Sequence, residues 1–166
     1  LFGIFFNSGQ VCQAGSRVFV QRSIYNDFVD ALVERTKQLK VGPGTDFATD
    51  IGPVVSKEQH QRILDYIRIG LSEGAKLVSG GNIPEGLQQG YFVNPTVFAD
   101  VRSTMRIAQE EIFGPVVSVI PFDTEEDVVR MANETIYGLA AAVWTKDIKR
   151  ALRMLQKIQA GTVWVN

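Results

Sequence analysis

The chain has 166 residues, 45% hydrophobic and 21% charged, with a formal net charge of −1. That is one domain's length and an ordinary globular composition, able to bury roughly 70% of the unfolded chain's surface. The near-neutral charge argues against a nucleic-acid or membrane partner, and no apolar run approaches the ~20 residues of a membrane-spanning helix.

Strand and helix patterns alternate along the chain. Arg17 to Gln21 reads as a strand rich in β-branched and aromatic residues. Ser23 is the expected cap of a helix carrying Ile24, Phe28, Val29, Leu32, Val33 and Leu39, stopped by Val41-Gly42-Pro43-Gly44. Ser56-Lys57-Glu58-Gln59 has capping-box form and opens a helix with Ile63, Leu64, Ile67 and Leu71 that ends at Gly74. Lys76 to Ser79 is a short strand before Gly80-Gly81. Tyr91 to Phe98 is extended, with Pro95 arguing for an edge or a bend.

Val116 to Phe122 is a further strand, and Thr124 caps a helix through Val128, Val129 and Ala132. Leu139 to Trp144 is an apolar strand. Ile148, Ala151, Leu152, Leu155 and Ile158 make a helical stripe ending at Gly161, and Thr162 to Val165 is the last strand. Trp144 and Trp164 are expected in the core. A β-α-β-α-β order with apolar strands implies burial on both faces. The expected class is therefore α/β, a three-layer, mostly parallel sheet flanked by helices. Chemistry in such folds tends to sit at strand ends and in the loops beyond them.

One cysteine and one histidine exclude an internal disulfide and a Cys/His metal cluster, and suggest a reducing, cytoplasmic location. The chain begins at Leu1 without Met and stops at Asn166 directly after an apolar strand. The expectation is a cut at both ends, which would hide any upstream targeting signal.

Cys12 lies between Gly9 and Gly15, which permit a tight backbone path and close approach by a ligand. The strand after it makes a rigid anchor, the usual setting of a nucleophile on a loop. On spacing alone, a small buried hydrophobe is the alternative. The string Phe6-Asn7-Ser8-Gly9-Gln10-Val11-Cys12-Gln13-Ala14-Gly15-Ser16-Arg17 closely resembles the active-site motif of the aldehyde dehydrogenases. Gln109-Glu110-Glu111-Ile112-Phe113-Gly114-Pro115-Val116 resembles a second motif of that family. Gly52-Pro53, Asn94-Pro95-Thr96, Asn133 with Tyr137-Gly138-Leu139, and Gly161 to Asn166 follow in the family's order. The resemblance spans essentially the whole chain.

The resemblance implies an NAD(P)-dependent oxidoreductase that converts a small aldehyde to a carboxylic acid. Cys12 would be the nucleophile, passing through a thiohemiacetal and a thioester, with its own backbone N–H as one oxyanion donor. Glu111 would bind the nicotinamide ribose and Phe113 would pack beside the nicotinamide, while neighbouring Glu110 competes with Glu111 for the first role. Gln59 matches a position that approaches the cofactor in some members, although its local reading is a partner of the Ser56 cap. Phe6, Val11 and Gln13 would shape the substrate tunnel. His60 is read as an ordinary helix residue. Residues 1–166 would form a single catalytic domain of a longer chain, homodimeric or homotetrameric. The general-base Glu, a second oxyanion donor, the dinucleotide-binding half and the oligomerisation arm would lie outside it, leaving the isolated chain poorly active. NAD and NADP stay equally open, since the residue that would meet the ribose 2′ position belongs to the half outside this chain; no Gly-x-Gly-x-x-Gly string occurs. A thiol hydrolase and a non-enzymatic α/β domain with a spectator Cys12 are the competing readings.

Overall fold

Four strands form one sheet in the order β1-β4-β3-β2. They are β1 (Arg17–Gln21), β2 (Lys76–Ser79), β3 (Thr96–Ala99) and β4 (Val116–Phe122). β3 and β4 run parallel, and β2 is antiparallel to β3. This computed structural model describes residues 1–166, in two compact units, Leu1–Pro121 and Phe122–Asn166.

The inner strands explain the first unit. Every residue of β3, and Val116 to Ile120 of β4, is buried. Because side chains alternate across a strand, the two strands feed two faces. Val97, Ala99, Val117 and Val119 meet Val20 of β1 and Tyr25 and Val29 of helix α2 (Tyr25–Lys37), together with Ile4 and Phe5 of α1 (Phe2–Phe5). Phe98 points the other way, towards α3 (Lys57–Ser72) and α4 (Arg106–Gln109). A methyl on Gly70 of α3 would stand 3.1 Å from Phe98 Cζ and 3.0 Å from Ile107 Cδ1, so the glycine lets α3 sit tightly on these two side chains. Helices thus cover both faces of a mixed, mostly parallel sheet, as the apolar strands require. Each buried Val or Phe contributes roughly 1.5–3 kcal/mol.

One polar tie fastens α2 to this core. Tyr25 Oη accepts from Asp100 N at 2.6 Å and donates to the Val119 carbonyl at 3.3 Å. Burial, the largest influence, raises the Tyr25 phenol above its ordinary range.

Ser23 does not cap α2; residues Arg22–Ile24 form a single 3-10 turn that runs into the helix, and Ile24 takes the cap position without a side-chain bond. A continuous helical turn leaves no extended residue to act as cap. Pro95 does not mark an edge, because β3 is an inner strand. Pro95 stands one residue before the ladder begins, where Thr96 N donates to Pro115 O at 2.8 Å, so its missing N–H costs no sheet bond.

The second unit contains α5 (Glu125–Asn133), β5 (Ala140–Val143), α6 (Ile148–Lys157) and β6 (Thr162–Val165), with β5 and β6 parallel. Thr124 caps α5 in a full capping box with Asp127, and Asp147 caps α6. Glu125 accepts from Arg150 and Arg153 of α6. The Asn133 amide donates to Lys157 O and accepts from Gln159 N, tying the ends of the two helices. The helical stripe stops at Lys157, since Ile158 is already extended. Burial on both faces does not extend to this pair of strands: only Val143 is buried. Trp144 is 79% exposed and Trp164 44% exposed, so neither is a core residue here. A two-stranded sheet has no inner strand to shield either one.

Candidate active site

The backbone around Cys12 is bent into an unusual shape. Asn7, Ser8 and Gly9 have φ of 51°, 57° and 70°, three successive residues in the left-handed region. For the two non-glycines this costs roughly 1–2 kcal/mol each. Side-chain bonds offset the cost. Asn7 Nδ2 donates to Gln10 O at 3.2 Å, and Ser8 Oγ, itself buried, donates to Gly52 O at 2.8 Å. Gln10 Oε1 accepts from Val55 N at 3.0 Å. Ala14 N then donates to Val11 O at 2.9 Å, which makes Cys12 and Gln13 the two central residues of a turn. Cys12 is exposed on this corner, so the buried-hydrophobe alternative does not describe it. Of its neighbours, Phe6 and Gln13 are exposed and Val11 is half-buried.

The second motif is shaped in the same way. Phe113 has φ of 59°, again left-handed, between exposed Glu111 and buried Gly114. The two motifs meet at their glycines: a methyl on Gly9 would overlap the Gly114 carbonyl and stand 2.8 Å from Pro115 N. A methyl on Gly114 would run into Ile63 of α3. An added methyl therefore meets backbone at Gly9 and the Ile63 side chain at Gly114.

Three polar residues near this contact sort themselves by their partners. Glu110 accepts from Arg106 Nε at 2.8 Å and from Tyr66 Oη at 2.7 Å. Arg106, then Tyr66, hold its carboxyl down at about 2. Glu110 is therefore a bracing group of the α3–α4 surface. The Glu111 carbonyl accepts from Arg62 Nη2 at 2.7 Å. Gln59 completes only half of the expected capping box: its backbone N–H donates to Ser56 Oγ at 3.2 Å. Its side chain does not return to Ser56, and Nε2 instead donates to the Ile112 and Phe113 carbonyls, each at 2.9 Å. His60 contacts the Phe92 carbonyl through Nε2 at 3.0 Å, a local structural bond.

A family model described as the aldehyde dehydrogenase family matches residues 1–166. The chain belongs to the aldehyde dehydrogenase family. Among its relatives, the betaine aldehyde dehydrogenase of Mesorhizobium japonicum is 52% identical over all of this chain and 34% of its own length. An aldehyde dehydrogenase of Bacillus cereus, solved as an NAD+ complex, superposes with a TM-score of 0.95 at 52% identity, over 99% of this chain and 33% of that one. A betaine aldehyde dehydrogenase variant of Staphylococcus aureus, solved with NAD+ and a BME-modified cysteine, gives 0.96 at 47% identity, over 99% and 34%. The chain spans about a third of the length of the curated relatives it matches.

The remaining aldehyde dehydrogenase motifs have structural partners in this chain. Asn94 pairs with Asn82, and Thr96 Oγ1 accepts from Gly81 N at 3.0 Å, anchoring the start of β3. Gly138 O accepts from Gly161 N at 2.8 Å, which sets the register of β5 and β6. The sequence did not reveal that Ser8 and Gln10 brace the cysteine loop. Their partners are the Gly52 carbonyl and the Val55 N–H, backbone groups that every sequence offers everywhere.

Proposed function

We propose that residues 1–166 are the cysteine-bearing catalytic portion of an NAD(P)-dependent aldehyde dehydrogenase. The observation that supports this best is the backbone contact between Gly9 and Gly114, which brings the Cys12 loop beside the Glu111–Phe113 segment. The residues on that segment suit a nicotinamide nucleotide. Exposed Glu111 offers a carboxylate that can accept from ribose hydroxyls, and half-buried Phe113 offers an aromatic edge beside it.

The thiolate of Cys12 adds to the aldehyde carbon, forming a C–S bond and an oxyanion. A thiolate suits this step because it is strongly nucleophilic near neutral pH. The Cys12 N–H, at the corner of its turn, donates to that oxyanion. A nicotinamide held beside Glu111 and Phe113 would supply the acceptor for the hydride that leaves the carbon. The thioester left on Cys12 is hydrolysed by water, which releases the carboxylic acid, returns the thiolate and gives one proton to solvent. Phe6, Val11 and Gln13 border the path by which the aldehyde reaches the sulfur. Gln59 is an NAD(P)-side residue of the same site.

The relatives' greater length supports the longer polypeptide as the active species, and this chain alone would oxidise aldehydes poorly. The longer polypeptide would act in the cytoplasm as a homodimer or homotetramer. No helix here is long and apolar enough to cross a membrane.

The test is reduction of NAD and of NADP by the longer polypeptide over a panel of aldehydes, beginning with betaine aldehyde, with mass spectrometry of acylated Cys12. Reduction that depends on aldehyde and is blocked by alkylating Cys12 is the expected result. No reduction with any aldehyde, and a thiol that alkylates only above about pH 8.5, would refute the proposal.

A further inference from the structure

A single side-chain nitrogen holds two successive carbonyls of the second motif. Gln59 Nε2 donates to Ile112 O and to Phe113 O, each at 2.9 Å, from the first turn of α3. Adjacent carbonyl oxygens converging on one point repel each other unless a donor stands between them. The convergence occurs where Phe113 takes its left-handed conformation, φ 59°. Both N–H groups of the Gln59 amide are used on these carbonyls. The same stretch of chain grips the cysteine loop, because Gly52 O accepts from Ser8 Oγ and Val55 N donates to Gln10 Oε1. Residues 52–59 therefore join the two motifs from one side, while Gly9 and Gly114 touch directly.

We infer that Gln59 is a positioning residue: it acts on the nicotinamide nucleotide through the backbone of Ile112 and Phe113, setting where Glu111 and Phe113 stand. The inference rests on the proposed function. It separates two roles by chemistry. Positioning needs donors, so a carboxylate at this place faces two carbonyls and repels them. Direct contact with ribose hydroxyls needs only an acceptor, so a carboxylate would serve well.

The test compares Gln59→Met, Gln59→Glu and Gln59→Lys in the active longer enzyme. Amide hydrogen exchange over residues 110–116 is measured without nucleotide, alongside KM for NAD(P) and the alkylation rate of Cys12. Met and Glu are expected to speed exchange in 110–116 and to raise the nucleotide KM about tenfold, Glu more than Met. Lys, which carries donors of similar reach, restores both. Cys12 alkylation without nucleotide stays within about twofold, since Ser8 and Gln10 still hold its loop. Wild-type exchange and KM in Gln59→Met, or a Gln59→Glu enzyme closer to wild type than Gln59→Lys, would overturn the inference. If the wild-type enzyme reduces no nicotinamide nucleotide, the functional proposal fails instead, and the exchange measurement still reports whether Gln59 holds the segment.

Discussion

Gly9 and Gly114 touch backbone to backbone, so that no side chain fits at Gly9. Gly9 also has φ of 70°, where a Cβ adds strain of its own. Gly9→Ala is expected to destabilise the fold by more than about 2 kcal/mol, read from the urea midpoint. It should also change the alkylation rate of Cys12, because the turn carrying the thiol hangs from this contact. An unchanged midpoint would mean that the two loops separate easily.

Cys12 is exposed, and its removal should leave the fold intact. Cys12→Ser is expected to shift stability by no more than about 0.5 kcal/mol. Turnover of the longer enzyme should fall by at least about a thousandfold, since the hydroxyl is a far weaker nucleophile near neutral pH. Substantial remaining turnover would contradict the nucleophile assignment.

Neighbouring Glu110 and Glu111 should behave differently. Glu110, held at about 2 by Arg106 and Tyr66, contributes stability that is fully present above its ordinary value of 4.5 and is lost as pH falls through about 2. The pair is well solvated, with Glu110 38% and Arg106 52% exposed, so the contribution is below about 1 kcal/mol. Glu110→Gln should remove this acid dependence, as followed by unfolding between pH 5 and pH 2. Glu111→Gln should raise KM for NAD(P) and leave the acid dependence set by Glu110 in place. Reversed effects would exchange the two roles.

Tyr25 joins α2 to the sheet through Val119 O and Asp100 N. Tyr25→Phe removes the hydroxyl from buried Val119 O, which keeps Val101 N as a donor, and from the exposed Asp100 N–H, and should cost roughly 0.5–1.5 kcal/mol in urea unfolding. Because burial raises the Tyr25 phenol above 10.0 in the folded state, the wild type also loses stability as pH rises past 10. The Phe variant should lack that part of the alkaline loss.

The sequence alone determined the features that depend on residue type and short spacing. The caps at Thr124 and Ser56, the extended stretch that leads into β3, the β-rich run of β4 and the two motifs around Cys12 and Glu111 are all of this kind. Their physics is local: a hydroxyl reaches an N–H three residues on, and alternate apolar residues face a core. Only the tertiary structure decided which residues stand together. It turned the Gln59 amide from its own helix cap to the carbonyls of Ile112 and Phe113. It committed Glu110 to Arg106 and Tyr66, and it left Trp144 exposed. These outcomes depend on donors, acceptors and surfaces supplied by chain far away in sequence. Backbone carbonyls carry no mark of residue type, so neither the partners of Gln59 nor the contact between Gly9 and Gly114 could be read before the chain was folded.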